Sequence, residues 1–182
     1  MFIRSERLFL RPGWPEDWAE LWPAINDERV VRNLATVPWP YTMEDAIAFT
    51  RREQDKQCPH FLVTLPTADG ARLIGGAGLA RHGGDVELGY WIARSHWGQG
   101  YATEAARAVL RLAAALGHRR IMAHHFLDNP ASGSVLRKLG FRPTGRRADR
   151  LSSGRKGKAQ TIELSREVEL SCDEDKRCMN AA

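Results

Sequence analysis

The sequence has no long apolar run. No part of its 182 residues approaches the ~20 consecutive apolar residues a membrane-spanning helix needs, so no membrane partner is expected. Cysteine is scarce: Cys58, Cys172 and Cys178 are too few and too scattered for a disulfide framework. A nucleophilic cysteine would need an activating base or a lowered pKa, and the sequence signals neither. Metal-ligand spacing is missing as well. His60, His82, His96 and His118 are isolated, and His124 and His125, adjacent in an expected strand, point to opposite faces. No metal is expected. Arg4, Glu6 and Arg7 interrupt the first apolar residues, so no secretory signal is read and a soluble, cytoplasmic protein is the expectation.

What is present is ordinary globular composition, 43% hydrophobic and 27% charged, which excludes bulk disorder. The length suits one domain, expected over residues 1–170, with a loose aperiodic tail over 171–182. A balance of 27 Lys+Arg against 22 Asp+Glu, net +5, favours an anionic partner without choosing one.

Residues 6–11 read as an opening strand stopped by Pro12 and Gly13, and Pro15 with Glu16 and Asp17 opens a helix. Trp14, Trp18 and Trp22 recur every four residues, either packing that helix on a sheet or walling a ligand site. Thr42 starts a second helical pattern running to about Gln54. Strands are expected near 61–65, 73–80 and 86–92, joined by short turns and therefore antiparallel. Ala105, Val109, Leu112 and Leu116 then mark one face of a helix closed by Gly117. A strand at 121–126, a helix capped by Asp128-Asn129-Pro130, and strands near 141–147 and 160–168 complete the pattern. The expected fold is α+β, a mixed, mostly antiparallel sheet of about six to seven strands flanked by helices.

The segment 97–102, Trp-Gly-Gln-Gly-Tyr-Ala, lies between a strand and an amphipathic helix. Its glycines let the backbone approach a ligand, and the free N–H groups of the helix's first turn suit a phosphate or diphosphate. The plainer alternative is a glycine turn before a helix. It lacks the Gly-Lys-Ser/Thr ending of a Walker loop and is not G-x-G-x-x-G.

Several segments recur in one order: Val86 to Ile92, Trp97 to Ala105, Asp128-Asn129-Pro130-Ala131-Ser132, and Val135 to Phe141. In this the chain resembles the GNAT superfamily of acetyl-CoA-dependent N-acetyltransferases, specifically its RimJ/RimL-like branch, over roughly residues 5–168. The resemblance implies that the backbone around Gly98, Gln99, Gly100, Tyr101, Ala102 and Thr103 holds the diphosphate of coenzyme A. It implies that the strand edge at Trp91, Ile92 and Ala93 pairs with the pantetheine arm, that Asn129 bonds that arm, and that Ser132 sits near the sulfur. Trp97 stands where the wider superfamily has Arg or Gln, which removes one side-chain contact. Leu136 stands where many members carry a tyrosine acid, which leaves Ser132 as the candidate proton donor.

Acyl transfer to an amine needs a neutral amine, a donor for the oxyanion and a leaving thiolate. A lysine amine of pKa about 10.4 costs roughly 4–5 kcal/mol to neutralise at pH 7, an α-amine of pKa about 8 only ~1.4. The expected acceptor is therefore a primary amine, most simply a peptide or protein N-terminus, attacked directly in a ternary complex. Glu87 is the candidate base, directly or through water, or else a structural ion-pair partner. Trp39, Tyr41, Glu87 and Tyr90 are candidates for acceptor binding. The basic run of residues 142–158, with Ser152-Ser153-Gly154 read as a mobile connection, is either solvated surface or a docking patch; a nucleic-acid partner is not expected. The alternatives are an acetyltransferase for a small amine (amino sugar, polyamine or antibiotic) and a CoA-binding interaction module of low activity. Monomer and homodimer both remain open.

Overall fold

Short glycine-bearing turns set three of the sheet's strand pairings in the computed structural model, which describes residues 1–168. The expected tail 171–182, with Cys172 and Cys178, lies outside the described residues. The strands are β1 (Ile3–Arg4), β2 (Phe9–Arg11), β3 (His60–Thr67), β4 (Gly70–His82), β5 (Asp85–Ile92), β6 (Arg120–Phe126), β7 (Arg142–Ser152) and β8 (Gly157–Glu167). The helices are α1 (Trp18–Ile25), α2 (Glu28–Val31), α3 (Met43–Thr50), α4 (Tyr101–Ala115) and α5 (Pro130–Lys138). Gly83 and Gly84, at φ 57° and 91°, turn β4 directly into β5, so the two strands must run antiparallel. The sheet order is β1-β2-β3-β4-β5-β6-β8-β7, and only β5 and β6 are parallel, because α4 carries the chain back between them. The count is eight rather than six or seven; β1 is two residues long and leaves no readable pattern.

The helices cover both faces, and strand alternation sorts the side chains between them. Phe61, Val63 and Ile74 join the core beneath α4 and α5, whereas Leu62 and Leu73 join a second core beneath α1, α2 and α3. Trp18 and Trp22 pack in the second core, but Trp14 stays 42% exposed with the Arg11 guanidinium stacked 4.0 Å from its ring, so the tryptophan stripe splits. Thr42 and Asp45 form a capping box that starts α3, which ends at Thr50, short of Gln54. No helix among the described residues is long and apolar enough to cross a membrane.

Candidate functional site

The site begins where one ladder fails. β5 pairs with β4 along its whole length but meets β6 at one register position, Glu87 opposite Met122. Past that point the two parallel strands leave a gap between their C-terminal halves. The Ala93 N–H donates to Ile74 O, toward β4, so alternation turns the main-chain groups of Tyr90 and Ile92 into the gap. Trp91 and Ala93 therefore face β4 with their backbones, against the expectation that all three of residues 91–93 offer a free edge. The Trp97 indole N–H donates to Ile92 O at 2.7 Å and ties the following loop to this edge.

The loop ends in two left-handed glycines, Gly98 (φ 76°) and Gly100 (φ 81°), the second being the N-cap of α4. Among the described residues, the N–H groups of residues 98–103 meet no protein acceptor; the next, Glu104 N–H, donates to Gly100 O at 3.1 Å. Unpaired N–H groups at the positive end of a 15-residue helix form an anion cradle. Arg7 reaches it from the β1–β2 turn, donating from Nη1 to Gln99 O at 3.1 Å and from Nε to Glu104 Oε2 at 2.8 Å.

Across the gap, Asn129 caps α5, its Oδ1 accepting from Ser132 N–H at 3.2 Å. Capping is thus the work of Asn129, and the Ser132 hydroxyl lies 2.9 Å from the Tyr90 hydroxyl. The Tyr90 phenol also reaches Ser132 O at 3.2 Å, and burial pushes its pKa up to about 12 against the opposing Ser132 bond, so it stays protonated.

On the opposite face of the sheet, Arg150 Nη1 and Nη2 donate to Glu87 Oε1 and Oε2 at 2.9 and 3.1 Å. His124 Nδ1 lies 3.2 Å from Glu87 Oε1 yet is misdirected for a good hydrogen bond, while its Nε2 is 3.5 Å from Glu163. Burial alone would raise the Glu87 carboxyl; His124 and the two-pronged Arg150 contact outweigh it and bring the pKa to about 2. Glu87, His124, Glu163 and Arg150 line a pocket of about 320 Å³.

Residues 7–142 match the family described as "Acetyltransferase (GNAT) domain". The chain belongs to the GNAT acetyltransferase family. "Uncharacterized N-acetyltransferase YoaA" of Bacillus subtilis is 30% identical to this acetyltransferase over 152 residues, spanning 79% of this chain and 84% of that one. A solved GNAT-family acetyltransferase from Bacillus anthracis superposes with TM-score 0.77 at 25% identity, covering 92% of this chain and 98% of the other. RimL, a ribosomal L7/L12 α-N-protein acetyltransferase solved in complex with coenzyme A, shares the fold: TM-score 0.74, 18% identity, 93% and 99% coverage.

Two expected acceptor residues belong to or pack against the second core. Tyr41 is buried at 5% exposure in the second core, its carbonyl accepting from the Trp22 indole at 3.1 Å. Trp39 packs half-buried against the same core. Tyr90 points to the α4 and α5 face, opposite Glu87, as the alternation of Val86, Leu88, Tyr90 and Ile92 already implied. The expected mobile connection is instead pinned: Ser152 Oγ donates to Leu34 O, Ser153 N–H donates to Ala35 O, and Arg155 pairs with Asp128. Arg150 and Arg7 carried no local signal, since their partners lie 63 and 97 residues away.

Proposed function

We propose that this acetyltransferase moves the acetyl group of acetyl-CoA onto the α-amine of a peptide or protein N-terminus, and that it stands in the RimJ/RimL-like branch. The observation that carries the reading is the run of uncapped N–H groups over residues 98–103, beside an open strand edge. That arrangement fits the diphosphate and pantetheine of coenzyme A: the loop and first turn hold the first, and the Tyr90–Ile92 edge pairs with the second. Bound there, the thioester supplies an activated acetyl group. Asn129 and Ser132 at the start of α5 border the same gap, where Ser132 is the candidate to hydrogen-bond the departing sulfur. The inward N–H of Tyr90 is a candidate for the oxyanion, leaving that of Ile92 to the arm.

The state of Glu87 bears on the acceptor. A carboxylate with pKa about 2 holds an ammonium proton poorly, because about six pKa units separate it from an α-amine, or about 8 kcal/mol. Clamped by Arg150, Glu87 attracts the incoming ammonium and orders the pocket, and the proton leaves to solvent. Such a site works best on an amine already neutral in part at pH 7, which is an α-amine rather than lysine. The likeness in fold to RimL, an α-N-protein acetyltransferase, supports the same choice. Following thiol release over a panel of peptides with free N-termini, amino sugars and polyamines tests it. Faster turnover of the peptides is expected; faster turnover of the small amines overturns the peptide reading.

A further inference from the structure

The loop 97–102 contains no Arg or Lys of its own, and the Trp97 indole is committed to Ile92 O. Beside it, Glu104 places a carboxylate in the first turn of α4, where it would repel a diphosphate. Three donors engage that carboxylate: Ser5 Oγ at 2.7 Å, Arg7 N–H at 2.7 Å and Arg7 Nε at 2.8 Å. The same guanidinium extends past Glu104, lies 4.6 Å from the Tyr101 ring centroid and donates from Nη1 to Gln99 O. A trans peptide points its C=O and its N–H in opposite directions. Holding Gln99 O toward Arg7 therefore turns the Gly100 N–H away from Arg7. Gly100, left-handed at φ 81°, has no Cβ of its own to restrict that peptide. Nη2 of Arg7 makes no bond to the protein among the described residues and lies 3.5 Å from where a Gly100 Cβ would stand.

We propose that Arg7 is a positioning residue for the coenzyme: one guanidinium neutralises Glu104 and fixes the Gln99–Gly100 peptide, presetting the loop for a diphosphate. The proposal rests on the reading of residues 98–103 as the diphosphate cradle. It assigns Arg7 no part in the transfer itself, so its removal raises the KM for acetyl-CoA while kcat at saturation holds.

The test is calorimetric titration of the full chain with coenzyme A, and with pantetheine, which lacks the diphosphate. Arg7→Ala is expected to weaken coenzyme A by about 10- to 100-fold, the range for losing charge-assisted hydrogen bonds, and to leave pantetheine affinity unchanged. Arg7→Lys is expected to resemble Arg7→Ala, since an ammonium cannot span Glu104 and Gln99 together. If Arg7→Ala does not fold, Arg7→Gln carries the same comparison. Wild-type affinity for coenzyme A in Arg7→Ala overturns the proposal. So does an equal loss for both ligands, or full rescue by lysine. Failure of the wild-type protein to bind coenzyme A is a separate result, seen before any variant is made, and it removes the cradle reading itself.

Discussion

Arg150 grips both carboxylate oxygens of Glu87, at 2.9 and 3.1 Å, from the far edge of the sheet. The grip depends on the β7–β8 hairpin being anchored to α2 and its following turn: Gly154 is buried so tightly that a Cβ there would lie 2.7 Å from Val31 O. Nothing in the neighbourhood of either residue along the chain announces the pair. It turns a candidate base into one half of an ion pair.

Stability should therefore depend on acid in a defined window. Against burial, His124 and Arg150 together depress the Glu87 pKa from its ordinary 4.5 to about 2, so their contribution is present above pH 4.5 and is lost as pH falls toward 2. The depression, the net of burial against His124 and Arg150 together, corresponds to about 3 kcal/mol in a site mostly shielded from water. Denaturant titrations between pH 2 and 6 should show wild type losing stability through this range. Arg150→Met, less stable at neutral pH, should lose less there.

The pH dependence of turnover separates a clamped Glu87 from a working base. With a peptide acceptor, kcat/KM should keep rising up to about pH 8, following the α-amine. A plateau reached just above pH 5 would assign the proton to a carboxylate and contradict the clamped state.

Gly100 tests the loop geometry. Valine at φ 81° is strained by roughly 1–3 kcal/mol, because a β-branched side chain disfavours the left-handed region. Gly100→Val should raise the KM for acetyl-CoA by about tenfold or more while the melting temperature falls by about 2–12 °C, leaving the protein folded at assay temperature. An unchanged KM would show that the loop does not touch the coenzyme.

The Tyr90–Ser132 pair should matter little to the leaving group, since a thiol of pKa about 8.5 departs readily without a proton. Tyr90→Phe and Ser132→Ala are each expected to lower kcat by less than about tenfold, and the double variant by less than the product of the two, because they share one bond. Losses that multiply fully would mean that the two hydroxyls act separately.

Much of this architecture was legible because it is local. Apolar residues at helical spacing gave α4, Gly117 in the left-handed region (φ 83°) ended it, and Asn129-Pro130 gave the start of α5. Period-two alternation gave β5, and applied strictly it also separates Tyr90 from Glu87. What the sequence hid is non-local or very short. The four-residue α2 spans barely one turn, too short for a periodic pattern, and the burial of Tyr41 is decided by helices packing over it. Arg150 reads as part of a solvated basic run, and Arg7 as no more than a charge among the first apolar residues, until the fold brings each to a carboxylate from a distant part of the chain.

Amide NMR of the 98–103 segment during addition of coenzyme A puts the cradle to the most direct test. Large, saturable shifts of these backbone resonances are expected, and pantetheine should not reproduce them. Resonances that stay in place while coenzyme A binds elsewhere, or an absence of binding, would contradict a diphosphate held by these amides.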